Sequence, residues 1–208
     1  PVRVAVFIDG ANVYRAFKTV FGWTRYSPLR LAAGLAAGRH VVRTAFYIAA
    51  VPQEMGADVY ADQQRFLRRL RQQQELVVWT GRMAQADGVW QETGVDVKIA
   101  TDMVYLAYRD LYDAAILVSG DGDLAPAVQE IRRTGRIVEN AIPRARRSWH
   151  LVRESSRYIP IDRELFDRCG FQGDRRGEEH AVNIPRCRYA KLYHALGLAD
   201  VGALLSCN

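Results

Sequence analysis

The chain is poor in cysteine, histidine and lysine, and it has no long apolar run. Its three cysteines, Cys169, Cys187 and Cys207, are odd in number and crowd into the last fifth of the sequence. That pattern excludes a disulfide framework and fits a reducing compartment. His180 and His194 lie among those cysteines, but no CxxC or HxxxH spacing occurs, so the usual zinc patterns are missing. No apolar stretch reaches the ~18 residues of a membrane span. The first residues open directly into a strand pattern, without the basic region, apolar stretch and cleavage site of a secretory signal. A cytoplasmic location with no membrane partner is therefore expected. Lysine supplies only 3 of the 29 basic residues.

What is present is an ordinary globular composition, 49% hydrophobic and 25% charged. The 208 residues suffice for one α/β domain plus an appendage. Net charge is +6, carried almost entirely by arginine, which suits bidentate phosphate contact and stacking on bases. A biased genome composition yields the same excess, so the charge permits a nucleic-acid partner without establishing one.

Strand and helix patterns alternate along the chain. Strands are expected over residues 2–8, 41–51, 76–79, 115–118 and 136–142. Helices are expected over 11–21, 29–37, 57–74, 97–108 and 124–133. Residues 83–90 read as a loop or hairpin, and 151–155 form a short helix. A short strand over 158–161 and a helix over 163–168 end the pattern. Ile99, Met103, Leu106 and Ala107 form the apolar stripe of helix 97–108. Gly135 closes the helix before it. This βαβ alternation predicts a parallel sheet covered by helices on both faces. Residues 1–169 are read as one domain. A linker follows over 172–179, then an extension whose residues 187–205 carry one or two helices.

Ligands of such sheets bind beyond the carboxyl ends of the strands. Asp9 ends the first strand after an apolar run, and Asp121 follows the fourth in Ser119-Gly120-Asp121-Gly122-Asp123. Asp102 lies on helix 97–108, on the same face as Lys98 four residues earlier. Asp96 and Asp123 either join the acids or cap helices, Asp123 with Pro126 in the first turn behind it. Asn12 either caps the first helix or holds a water or phosphate oxygen. Two carboxylates 4 Å apart repel by about 4 kcal/mol at an effective dielectric near 20, so such a cluster calls for a cation. Oxygen ligands suit Mg²⁺ or Mn²⁺ rather than zinc.

At these residues the sequence resembles the NYN domains, in particular their LabA-like branch, within the PIN-like nuclease superfamily. The resemblance rests on Phe7-Ile8-Asp9-Gly10-Ala11-Asn12-Val13-Tyr14, on Gly94-Val95-Asp96-Val97-Lys98-Ile99-Ala100-Thr101-Asp102-Met103, and on residues 112–123. It runs from Val2 to about Phe166. It implies a Rossmann-like, three-layer αβα domain with a five-stranded, mostly parallel sheet of order 3-2-1-4-5. It also implies an acidic pocket that holds Mg²⁺ or Mn²⁺ and metal-dependent cleavage of RNA. Carried over by position, Asp9, Asp102 and Asp121 match the metal-binding catalytic acids. Asp96 and Asp123 match further acidic positions, and Asn12 and Ser119 match polar neighbours.

Arg144, Arg146, Arg147 and Arg153 cluster after the fifth strand, at the same sheet edge as the acids. Trp149 among them either stacks on a base or tucks into the core. Arg65, Arg68, Arg69 and Arg71 read as a solvated helix face. The expected activity is endonucleolytic hydrolysis of single-stranded or structured RNA. A non-catalytic RNA- or protein-binding module and a DNA or flap nuclease are the alternatives. The C-terminal extension leaves room for a protein partner or a homo-oligomer.

Overall fold

The computed structural model describes residues 1–170. The expected linker and C-terminal helices, with Cys187, Cys207, His180 and His194, lie outside the described residues. Strand β1 (Arg3–Asp9) is an unbroken buried run, as a central strand covered on both faces requires. Val4, Val6 and Ile8 point to one side of the sheet, while Ala5 and Phe7 point to the other. The strands that follow are β2 (His40–Ala50), β3 (Leu76–Ala86), β4 (Val89–Thr93), β5 (Ala114–Val118), β6 (Ile137–Ile142) and β7 (Arg157–Pro160). They form one sheet in the order β4-β3-β2-β1-β5-β6-β7.

The α/β class stands, but the sheet is mixed and has seven strands among the described residues, not the five expected. Those five form its centre, in the order 3-2-1-4-5 when counted alone. The first addition arises because β3 runs on to Ala86 and folds back as β4, the sole antiparallel pairing among the described residues. Asp87 (φ 52°) and Gly88 (φ 77°) make that turn. An Asp-Gly pair with both φ values positive is the favoured two-residue hairpin connection. The second addition is β7, parallel to β6 at the other edge, where Pro160 costs no ladder hydrogen bond.

Among the described residues seven α-helices cover the sheet. Helices α1 (Gly10–Phe21), α2 (Pro28–Ala36), α3 (Ala57–Arg71) and α7 (Arg163–Cys169) lie on the face of Val4, Val6 and Ile8. Helices α4 (Val95–Tyr108), α5 (Ala125–Arg133) and α6 (Trp149–Glu154) lie on the face of Ala5 and Phe7. The stripe of α4 is buried as its spacing predicts: Ile99 and Met103 are fully enclosed. Burying each such side chain stabilises the fold by roughly 1.5–3 kcal/mol. Among the described residues no helix is long and apolar enough to cross a membrane.

Candidate functional site

The chain leaves β1 for one face of the sheet and leaves the adjacent β5 for the other. The crevice between their carboxyl ends is therefore the switch point of the sheet. Asp9 closes β1 there and is 4% exposed. It caps α1, accepting the Asn12 N–H at 3.0 Å, and its other oxygen accepts the Ser119 hydroxyl at 2.9 Å. The same Ser119 oxygen accepts the Asp121 N–H at 3.0 Å. Asn12 Oδ1 accepts the Gly120 N–H at 2.9 Å. From β6, Asn140 Nδ2 donates to the carbonyls of Ser119 (2.8 Å) and Leu117 (3.2 Å). Neutral side chains thus tie the ends of β1, β5 and β6 together.

Of the two acids after β5, Asp121 rather than Asp123 makes a cap. Asp121 caps a short 3-10 turn, Gly122–Leu124, by accepting the Asp123 N–H at 3.0 Å. Asp123 caps nothing, since α5 starts at Ala125 behind Leu124 without a side-chain cap. Pro126 in the first turn removes one N–H that a cap would have bound. Asp96 caps nothing either. Gly94, in the left-handed region at φ 83°, precedes α4, and Asp96 sits inside its first turn. A carboxylate there is favoured by the helix dipole.

These acids perturb one another. Burial, with Asp96 adding to it, raises the Asp9 carboxyl to about 6 against the pull of the Asn12 N–H. Crowding by the surrounding chain raises the Asp96 carboxyl, although solvent reaches that residue, and Asp121 and Asp123 add to the effect. Glu92, which sequence reasoning missed, joins them from β4. Burial pushes its carboxyl up to about 7, with Asp9 and Asp96 adding, while it accepts the Ala49 N–H at 3.1 Å. Arg15 of α1 offsets part of the charge on all three. Its Nε is buried and has no hydrogen-bond partner among the described residues.

Asp102 belongs to a different group. One oxygen accepts the Tyr47 hydroxyl at 2.9 Å and the other accepts Lys98 Nζ at 2.6 Å. Six residues separate it from Asp96, about 9 Å along a helix that rises 1.5 Å per residue. Asp96, not Asp102, is the α4 acid that acts on Asp9.

The arginine loop packs directly on the acidic turn. A Cβ at Gly120 would stand 2.1 Å from the Arg146 carbonyl oxygen, and one at Gly122 would stand 2.9 Å from Ser148 Oγ. At Gly120, where the contact is with backbone, only glycine allows this approach. Arg144 and Arg146 are exposed. The Arg147 guanidinium lies over the Trp149 ring, 4.6 Å from its centroid. Trp149 is 68% exposed and is not part of the core. Arg153 pairs with Glu154 at 2.9 Å. An open cleft of about 320 Å³, lined by Gly122, Asp123, Pro126, Gln129, His150 and Arg153, continues from the acidic turn between α5 and α6.

Among the described residues no three acidic, histidine or cysteine side chains converge closely enough to hold a metal ion by themselves. The donors are nevertheless hard oxygens with uncompensated charge. Mg²⁺ commonly takes only one or two carboxylates and keeps several waters, so the residues present fit such a cation.

No curated protein matches the chain. A crystal structure of a protein of unknown function from Vibrio parahaemolyticus is similar in fold, with a TM-score of 0.61 and 23% identity. The match covers 78% of this chain and 94% of that one. The family model of the NYN domain matches residues 3–162, the whole span from β1 to the turn after β7. The chain belongs to the NYN domain family, and through it to the PIN-like nuclease superfamily.

Proposed function

We propose that this protein is a divalent-metal-dependent ribonuclease that hydrolyses phosphodiester bonds at the switch-point crevice, in the manner of the LabA-like branch it resembles. The observation that carries the reading is Asp9: a buried carboxylate, raised to about 6, facing the like charge of Asp96 and Glu92. A structural role alone gives no reason to retain that charge, because a neutral amide could accept the same Asn12 N–H. Asp9 would hold Mg²⁺ or Mn²⁺ with Asp96 and Asp121 around it, at least one of the three acting through the cation's waters, and Asp123 and Glu92 would add negative potential. When bound, such a cation supplies charge neutralisation at phosphate and a more acidic water.

The protein's own groups set the stage. Ser119 and Asn12 fix the Asp9 carboxylate, and Arg15 presents a cation beside it for a phosphate oxygen. Arg144, Arg146 and Arg147 line the approach for a polyanion. Asp102, neutralised by Lys98 and oriented by Tyr47, steadies α4 instead of taking part in the chemistry.

The test is cleavage of labelled RNA and DNA panels in Mg²⁺ or Mn²⁺, beside Asp9→Asn and Asp121→Asn. Wild type should cut RNA and both variants should lose that activity. Loss of a group outside the metal shell costs about 10–100-fold, so loss of a ligand should exceed that range. Equal cutting by Asp121→Asn would overturn the site. RNA bound without any cleavage would make this a binding module, and faster cutting of DNA would make it a DNA nuclease.

A further inference from the structure

Trp149 presents an energetic anomaly. It is 68% exposed on a short helix whose next buried residue, Leu151, is fully enclosed. Among the described residues the Arg147 guanidinium is its ring partner, and the indole stays largely open to solvent. An indole kept in water in this way forgoes the burial that large aromatics usually find. Its position is not loose. The Arg146 carbonyl seats on Gly120 and Ser148 seats on Gly122, so the backbone carrying Trp149 is packed against the turn that carries Asp121 and Asp123. Arg144 and Arg146, in the turn just before it, carry positive charge that has no carboxylate partner among the described ion pairs.

We propose that the Trp149–Arg147 pair is a base-stacking platform that holds an unpaired nucleotide beside the acidic crevice, so that the substrate must be single-stranded at that point. This deepens the nuclease reading and rests on it for the identity of the crevice. An indole face with a guanidinium behind it is a sequence-tolerant support for any base, and the neighbouring arginines take the backbone. A paired base in a duplex has both faces covered by its neighbours and cannot use the platform. The occupant is therefore a nucleobase on a phosphate chain rather than a phosphate chain alone. The open cleft beyond Asp123, with His150 and the Arg153–Glu154 pair on its wall, gives the strand a path away from the platform.

The experiment measures binding in the full-length Asp121→Asn protein, so that it does not depend on turnover. Fluorescence anisotropy is read with labelled single-stranded RNA, the same sequence as a duplex, and an abasic oligomer of equal charge. In that background Trp149→Ala should weaken single-strand binding on the order of tenfold. Trp149→Phe should restore most of it, and neither change should alter binding of the abasic oligomer. An equal loss for the abasic oligomer, or no loss for the single strand, overturns the platform. So does a fall in sedimentation mass on Trp149→Ala with RNA affinity intact, which would make the exposed indole a protein contact. A wild-type protein that binds through Trp149 but never cuts would sink the catalytic reading and leave this one standing.

Discussion

Replacing Asp9 by asparagine should stabilise the metal-free protein at neutral pH while abolishing its response to divalent cations. The carboxyl titrates near 3.8 in an unfolded chain and at about 6 in the fold, with burial as the main cause. Folding therefore favours the protonated form. The stability it contributes is fully present below about pH 4 and is lost as pH rises through 6. A difference of about two pH units corresponds to roughly 3 kcal/mol at pH 8. Asparagine retains an oxygen for the Asn12 N–H and offers an N–H₂ to Ser119 Oγ, so the ties to α1 and β5 persist. A domain of this size shifts by about 2–4 °C per kcal/mol, which predicts a Tm gain of several degrees for Asp9→Asn in chelator at pH 8. The gain should vanish near pH 4. Mg²⁺ or Mn²⁺ at saturating concentration should raise the wild-type Tm by a similar margin and leave the variant unmoved. Thermal melts at the two pH values, with and without cation, read all of this. A variant that melts below wild type at pH 8 by the same amount as at pH 4 would refute the reasoning, because the carboxylate would then be structural.

Asp96→Asn should lower cleavage by more than about 100-fold, whereas Asp102→Asn should keep most of it and cost less than about 1 kcal/mol through its pair with Lys98; the reverse ranking in a kinetic assay would return Asp102 to the site. Gly120→Ala should destabilise the domain by about 1–3 kcal/mol and weaken RNA binding, since the Arg146 carbonyl must give way to the new methyl. An unchanged urea midpoint with unchanged affinity would show that the two loops are not pressed together. Glu92→Gln should raise the Tm of the chelated protein at pH 8 but not at pH 4, because the raised carboxyl of Glu92 obeys the same sign as Asp9.

Much of the sheet centre was legible because its strands are continuous apolar runs and its helices carry stripes such as Ile99, Met103 and Leu106. The edges were harder to read. Strand β4 alternates weakly, and the Asp87-Gly88 pair was the local signal that residues 83–90 turn back as a hairpin. Leaving residues 83–90 open between a loop and a hairpin also hid Glu92, which lies on β4, antiparallel to the end of β3. Spacing showed that Lys98 and Asp102 share a helix face, and the pair forms. It could not show that Tyr47, fifty-five residues earlier, claims the second oxygen of Asp102. The cap made by Asp121 was not legible because a 3-10 turn precedes α5, and a turn of three residues leaves no periodicity to read. Trp149 could not be placed from sequence, since the same residues suit an indole turned inward or outward.

The ties among Asn12, Ser119, Asn140 and the strand ends have one more consequence. Every side chain that makes them, apart from Asp9 itself, is an amide or a hydroxyl, and none of these gains or loses a proton in the range where the carboxyls do. Charge in the crevice and the positions of its atoms are therefore separately controlled. Acidifying the solution should turn down the electric field at the strand ends without dismantling the frame, so inhibition by acid should be instantaneous, graded and fully reversible.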